Sequence, residues 1–256
     1  MVKKKVLIFI ISYKASFRLL SVYKKIPYKK LKKYNVTVLF SDDASKDDTI
    51  RFATKIKKQN KNKRIIVKEN KNNLGYGGHI KKCLNFLINE KFDYAIMIHG
   101  DGQFDPKYIP DLLNSITKNK NVGASTGSRL KKGSFSASKG GMPFYKLLGN
   151  ILLTKIFNLL LNVNFTDAHT GMWAYNLRFL KHKKFNKLTS SFNFDQEFRF
   201  KNILENKKIT EIPIKTKYGD ERSQLHIKYA LNFFFKTLSF FLIKNKIIKS
   251  NKFYKA

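Results

Sequence analysis

The residues of this sequence best suited to chemistry stand together in Ala95-Ile-Met-Ile-His-Gly-Asp-Gly-Gln-Phe-Asp-Pro106. The apolar run Ala95 to Ile98 gives way to polar and glycine residues, and Asp105-Pro106 opens a helical pattern of Ile109, Leu112, Leu113 and Ile116. The spacing predicts strand, turn, helix. His99, Asp101 and Gln103 then lie at alternate positions beyond the carboxyl end of a buried strand, where open α/β sheets bind ligands. Oxygen donors in such a turn suit Mg2+ or Mn2+, and that cation suits a diphosphate. A local reading of the same turn makes Asp105 only the cap of the next helix.

Two more segments put polar chemistry after strands. Val36 to Phe40 ends in Ser41-Asp42-Asp43-Ala44-Ser45, with Ile50, Ala53 and Ile56 marking the helix that follows. Ile65 to Val67 is a short strand, and Asn73-Leu-Gly-Tyr-Gly-Gly78 leads into a helix carrying Ile80, Leu84, Leu87 and Ile88 on one face. Glycines there permit close backbone approach, and a phosphate at the helix N-terminus is the expected visitor. Their spacing is not the dinucleotide fingerprint, which disfavours a nicotinamide dehydrogenase.

The elements that must hold these segments follow from the apolar runs. Val6 to Ile11 is a first strand broken at Ser12, and Val122 to Thr126 is a fifth, closing at Gly127-Ser-Arg129. Strands alternating with helices predict a parallel sheet covered on both faces, an α/β layer reaching about residue 130. Beyond it, Lys131 to Gly141 reads as a loop, either a lid or a solvated linker. Pro143 to Leu161 is a strongly apolar helix with a polar stripe at Lys146, Asn150, Thr154 and Asn158, its apolar face destined for the domain or for lipid.

The chain of 256 residues carries 52 Lys+Arg against 17 Asp+Glu, a formal charge of +35. The cations are spread along the chain without a nucleic-acid motif, so no nucleic-acid partner is expected, while acidic substrates and anionic lipid headgroups are favoured. Cys83 sits at an apolar helical position as packing, and a lone cysteine allows no internal disulfide. Met1 to Ile11 is basic then apolar, but its short apolar run and the lack of a small-residue cleavage site make it a strand rather than a signal peptide. No run reaches the roughly 20 apolar residues of a spanning helix, so a soluble or membrane-associated protein is expected.

Seven segments in order resemble glycosyltransferase family 2, and within it the polyprenyl-phosphate (dolichyl-phosphate mannose or glucose synthase-like) members. They are Ser41 to Ser45, Asn73 to Gly78, His99 to Pro106, Gly127-Ser-Arg129, Asp167-Ala-His-Thr-Gly171, Phe192-Asn-Phe-Asp-Gln-Glu197 and Glu211-Ile-Pro-Ile214. The resemblance implies a GT-A α/β fold over residues 1–225, with a nucleotide-sugar half at about 5–130 and an acceptor half at about 131–225. It implies a nucleotide-sugar donor contacted by Ser12, Asp42, Asp43, Gly75, Gly78 and Asp101, with Asp43 the base contact and Mg2+ or Mn2+ held by Asp101 and Gln103. The family's Asp-x-Asp stands here as His99-Gly-Asp101, so a neutral ligand, a water-mediated contact or a diphosphate contact replaces the first carboxylate. Asp195 matches the general base, a helix cap being its other reading, and Asp167 and His169 match acceptor and sugar contacts. Arg129 and Arg222 are candidates to clamp phosphate through their guanidinium forks.

The C-terminal segment 226–256 is basic and aromatic. Ile227 to Ile243 predicts a helix that either lies on an anionic membrane or packs on its own domain. The expected reaction is inverting transfer of a sugar from a UDP- or GDP-sugar to polyprenyl phosphate, by a peripheral protein at the cytoplasmic face of the membrane. The alternatives are transfer to a saccharide hydroxyl in surface-polysaccharide assembly, and a non-catalytic basic module that binds nucleotide or lipid.

Overall fold

The computed structural model describes residues 2–119, 121–133, 140–180, 184–218 and 227–248. Arg222, most of the Lys131 to Gly141 loop and the last basic residues lie outside them. The alternation read from the sequence is present: β1 (Lys5–Ser12), α1 (Leu19–Lys24), β2 (Asn35–Asp42), α2 (Thr49–Gln59), β3 (Arg64–Glu69), α3 (Gly75–Asn89), β4 (Tyr94–His99), α4 (Ile109–Thr117) and β5 (Val122–Ser128). Then come α5 (Phe144–Leu161), β6 (Trp173–Asn176), α6 (Phe194–Leu204), β7 (Lys208–Pro213) and α7 (Ile227–Lys244).

One seven-stranded sheet runs in the order β3-β2-β1-β4-β6-β5-β7. β1 is buried along nearly its whole length because it is central, with parallel neighbours β2 and β4 and helices over both faces. One face packs Ile8, Ile10, Val38, Ile96 and Ile98 against α1, α2 and α4; the other packs Leu7, Phe9 and Met97 against Ile80, Leu84 and Leu87 of α3 and Phe194 and Phe198 of α6. Cys83 is part of this second layer, and burial pushes its thiol up to about 12, so it is inert packing.

The sheet is mixed, not parallel. β6 enters antiparallel between β4 and β5, and β7 adds parallel to β5 on the far edge. Both come from the half of the chain assigned to the acceptor, so the two halves share one sheet. The four-residue run Trp173 to Asn176 is too short to announce itself by periodicity, and its place is fixed by pairing on both sides.

Parallel register sets the working edge. Ser12 lies opposite Asp42, and Ile11 opposite both Ser41 and His99, so the ends of β1, β2 and β4 bring three polar turns into one crevice.

Helix α5 is eighteen residues long and, by length and composition, apolar enough to cross a membrane, which the count of consecutive apolar residues did not suggest. Its buried positions are Leu147, Thr154, Phe157 and Leu161, and apolar residues are exposed on its other side. The polar stripe faces inward: Asn158 donates to the Phe165 carbonyl at 2.7 Å and accepts from the Phe165 amide at 3.0 Å, and Thr154 accepts from the Ala168 amide at 3.2 Å. Phe144, Leu148, Leu152 and Leu159 are exposed, Leu159 at 82%.

Candidate active site

Asp42 and Asp43 end β2 as buried carboxylates, each held by the turn it belongs to. Asp42 accepts the Ser45 amide at 2.8 Å and the Ser45 hydroxyl. Asp43 Oδ1 accepts the Asn70 side-chain amide at 2.7 Å and the Leu74 backbone N–H at 3.0 Å, while Asn73 donates to the Asp43 carbonyl. The Asp43 amide in turn donates to the Ser12 carbonyl at 2.9 Å. The ends of β1 and β2 and the loop after β3 thus form one rigid wall. Ser12 Oγ is buried without a hydrogen-bond partner, and it occupies the space a side chain at Gly100 would need, 2.4 Å from its Cβ position. Asn70, Asn73 and Ser45 are parts of this wall that the sequence reading did not single out, although Asn73 and Ser45 lie inside the segments it quoted.

Gly75 and Gly78 behave otherwise than expected. The amides of Gly77 and Gly78 donate to the Ser190 carbonyl at 2.8 and 3.3 Å, and a Cβ at Gly75 or Gly77 would lie under 3 Å from carbonyl oxygens of the 189–191 loop. Close backbone approach is the reason for Gly75 and Gly77, and the chain that approaches them is the 189–191 loop of the acceptor half. The Gly77 and Gly78 amides hold the start of α3 to that loop, while the Gly75 amide donates to Asn73 Oδ1 at 2.9 Å.

At the end of β4, Asp101 accepts the Gln103 amide at 2.9 Å through Oδ1, and Arg18 reaches the Asp101 carbonyl at 3.4 Å. His99 turns inward instead. Its ring stands edge-on to Phe104 and Tyr76, with centroids 5.1 and 5.7 Å away, and fills the space above Gly171. Burial lowers its proton affinity, and Nε2 has no hydrogen-bond partner. Among the described residues no three His, Cys, Asp or Glu side chains gather as a metal cluster. Of the three residues expected as ligands, His99 is packed among aromatic rings, and the Gln103 backbone amide donates to Asp101. Asp101 remains the one carboxylate in this turn, a donor set that fits a hard cation sharing its coordination with phosphate oxygens and water.

Asp167 and Arg129 form a buried ion pair. The Arg129 Nε and backbone amide donate to Asp167 Oδ2 at 2.7 and 3.0 Å, and its NH2 donates to Oδ1 at 2.9 Å and to the His169 carbonyl at 3.0 Å. NH1 donates to the Tyr218 hydroxyl at 2.8 Å. Although burial opposes it, the guanidinium holds Asp167 down to about 2. Asp167, expected to be catalytic, and Arg129, expected to clamp phosphate, are here bonded to each other and to the loop they brace. Glu211, seen in sequence only as the start of a motif, extends the brace by accepting the amides of Thr166 and Asp167. His169 points its ring at Phe233 of α7, with centroids 3.9 Å apart, and burial drives it down to about 3, so it is neutral and covered.

Asp195 has the environment of a working group. It lies in the first turn of α6, whose N-cap residue is Asn193, and its carboxylate caps nothing. Oδ2 accepts the Tyr76 hydroxyl at 2.7 Å, while Oδ1 is shielded from solvent and has no partner. Burial raises its pKa to about 7, against smaller opposing pulls from Tyr76, Arg199 and Trp173. Arg199, wholly buried against Trp173 and Phe165, was not visible as a site residue because nothing distinguishes it in sequence from a surface arginine.

Helix α7 roofs this side. The Gln196 side-chain amide donates to the Phe233 carbonyl at 2.9 Å and to Thr237 at 2.8 Å, Lys236 pairs with Glu197 at 2.6 Å, and Phe240 stacks on Phe200. Packing against the domain is thus the observed state of its inner face, while Leu231, Phe235 and Leu238 stay exposed.

Residues 8–182, more than half of the chain, match the model of the family described as Glycosyl transferase family 2. The chain belongs to that family, and it is a glycosyltransferase. An uncharacterized protein of Methanocaldococcus jannaschii is 27% identical over 200 residues, 75% of this chain and 82% of its own. A low-salt glycan biosynthesis hexosyltransferase of Haloferax volcanii is 33% identical over 85 residues, 33% of this chain and 20% of that one. In fold the chain is similar to mannosyl-3-phosphoglycerate synthase of Rubrobacter xylanophilus, with a TM-score of 0.66 at 12% identity over 98% of this chain and 77% of that one. It is likewise similar to glucosyl-3-phosphoglycerate synthase of Mycobacterium tuberculosis in complex with UDP, with a TM-score of 0.62 at 12% identity over 96% and 82%. These likenesses agree with a GT-A sheet and helices in a family 2 glycosyltransferase.

Proposed function

We propose that this glycosyltransferase moves a sugar, with inversion, from a nucleotide-diphosphate donor to the phosphate of a polyprenyl carrier at the cytoplasmic face of a membrane. The observation that carries the acceptor is the exposed apolar side of α5, which packs beside α7. Their outer faces expose Phe144, Leu148, Leu152 and Leu159 on α5 and Leu231, Phe235 and Leu238 on α7, while Lys155 of α5 and Lys246 just beyond α7 are exposed. An apolar face of that extent on a chain of +35 suits an anionic bilayer, and α7 packs on Gln196, Glu197 and Phe200 of the helix that carries Asp195.

On this reading the donor lies along the ends of β1, β2 and β4. The Asp43 carboxylate, oriented by Asn70 and Leu74, would meet the base, Asp42 and Ser12 would meet the ribose, and Asp101 would hold a divalent cation for the diphosphate. That cation, when bound, neutralises charge on the departing nucleoside diphosphate. The donor class is supported by structures of the same fold solved with UDP-glucose and Mn2+ and with GDP-mannose and Mn2+. An acceptor oxygen, aligned by Asp195, bonds to the anomeric carbon as the bond to the diphosphate oxygen breaks.

A second reading, a saccharide hydroxyl as acceptor, is favoured by the proton affinity of Asp195, which at about 7 suits a general base.

Purified protein incubated with polyprenyl phosphate, Mn2+ and radiolabelled UDP- or GDP-sugars should deliver label to the organic phase. Label appearing only on an added saccharide would replace the lipid reading with the second one. The same preparation should float with anionic vesicles, and Leu148→Ser with Phe235→Ser should release it while leaving its melting temperature unchanged; undiminished flotation of that variant would remove the apolar ledge from the argument.

Asp101→Ala is expected to abolish the Mn2+ dependence of UDP or GDP binding in calorimetry and to weaken that binding at least roughly tenfold. Binding that stays Mn2+-dependent would place the cation elsewhere.

A further inference from the structure

Tyr76 lies in the glycine-rich segment that the donor wall uses, yet its side chain leaves that wall. Asn73 and Leu74 brace Asp43, and two residues on, the Tyr76 hydroxyl donates to Asp195 Oδ2 at 2.7 Å, across the junction of the two halves. The ring is fixed from both sides: it stacks on Phe192 with centroids 5.2 Å apart and stands edge-on to His99 at 5.7 Å. The hydroxyl sits over Gly171, where a Cβ would lie 3.2 Å from it. Beneath it, Gly75 and Gly77 let the loop 189–191 close on the start of α3, so the glycines, Tyr76 and Asp195 form one packed unit.

We propose that Tyr76 is a positioning residue that fixes the Asp195 carboxylate through Oδ2, leaving Oδ1 as its one unbonded oxygen, and that its hydrogen bond favours the charged form of the group. The proposal rests on the reading of Asp195 as the acceptor-side group. Its geometry explains why Oδ1 alone is without a partner: a carboxylate held at one oxygen presents the other in a fixed direction. Electrostatics agree. The groups facing Asp195 are Tyr76 from α3, Trp173 and Tyr175 from β6, and Arg199 one turn along α6. Of these, Tyr76 donates the one full hydrogen bond to the carboxylate, and its own hydroxyl is held far above its usual range by burial and by the neighbouring Asp195 charge, so it stays a donor.

The test uses the whole protein labelled with [13Cγ]aspartate, whose Asp195 signal is identified by its loss in Asp195→Asn. In the wild type this carboxylate should titrate near 7. Tyr76→Phe keeps the ring stacking and removes only the hydroxyl, and it should move the midpoint up by about one pH unit. Tyr175→Phe, which removes a nearby hydroxyl not bonded to Asp195, should leave it in place. In transfer assays Tyr76→Phe should lower kcat roughly tenfold with donor KM unchanged. An unmoved midpoint in Tyr76→Phe, or an equal shift in Tyr175→Phe, overturns the proposal whatever happens to kcat. The titration needs no acceptor, so a shift in a protein that glycosylates no lipid would uphold Tyr76 and sink the lipid-phosphate reading instead.

Discussion

Asp195→Asn is expected to lower transfer by about a hundredfold with little change in donor KM, because the variant keeps the Tyr76 hydrogen bond but cannot take a proton. The lower end of the usual range for general-base loss applies because a phosphate acceptor ionises near pH 6 on its own. A loss nearer ten-thousandfold would point to a hydroxyl acceptor, whose proton must be removed as the new bond forms. The pH profile gives the sign. Asp195 is protonated below about 7, so wild-type kcat should rise with pH through that value, and the rise should be missing from the variant.

The same residue carries a cost in stability that runs opposite to its activity. An aspartate with its folded pKa raised above the unfolded value of about 3.9 destabilises the fold progressively as pH rises between the two values, and the penalty is complete above the folded one. For Asp195 that window runs from about 3.9 to about 7. Asp195→Asn should thus melt higher than the wild type at pH 8, by an amount on the order of a few kcal/mol at most, and the gain should vanish toward pH 4. Circular dichroism melts at the two pH values read this directly. Lower stability at pH 8 would mean that the carboxylate is structural and not a strained, working group.

How much of this was legible before the fold was known depends on the range of the interaction. The first five strands, four of the helices that follow them and the polar turns at their ends are set by local alternation of apolar runs and breakers, so Asp42, Asp43 and Asp101 could be named from sequence and lie in one crevice. Asp195 was found through a resemblance, not through periodicity. What the sequence concealed are partnerships between distant segments. Arg129 and Asp167 each have the residue type of a catalytic or phosphate-binding group, and only their meeting across 38 positions shows that they neutralise each other. The pairing of Tyr76 with Asp195 across 119 positions was hidden for the same reason. Helix α5 was misleading in another way: a polar stripe on an apolar helix normally marks the wet face, whereas here Thr154 and Asn158 anchor the 165–168 backbone beside buried Phe157 and Leu161, and other apolar residues are left outside.

The Arg129 and Asp167 pair gives the largest expected effect on stability. Arg129→Met removes a guanidinium that makes two hydrogen bonds to Asp167 and leaves a carboxylate with no solvent exposure and no directly bonded cation. Breaking a buried pair from one side costs about 3–5 kcal/mol, which for a chain of this size lowers the melting temperature on the order of 10 °C. The pH dependence follows from the depressed pKa of Asp167. Its stabilising contribution is complete above the unfolded value of about 3.9 and is lost as pH falls through its folded value of about 2. The gap between wild type and Arg129→Met, measured by urea unfolding, should therefore be widest at neutral and higher pH, narrow as the unpaired buried carboxylate of the variant takes up a proton, and narrow further below about 4 as the wild type loses the pair. A phosphate clamp would behave in the opposite manner, with stability little changed and the loss confined to acceptor or donor KM. Because all three guanidinium nitrogens already have acceptors within the protein, and the loop 166–169 that they hold leads into the His169 contact with α7, the expected damage is to the frame around Asp195. Transfer should fall together with folding, and it should be restored by conditions that restore folding, such as saturating nucleotide or lower temperature.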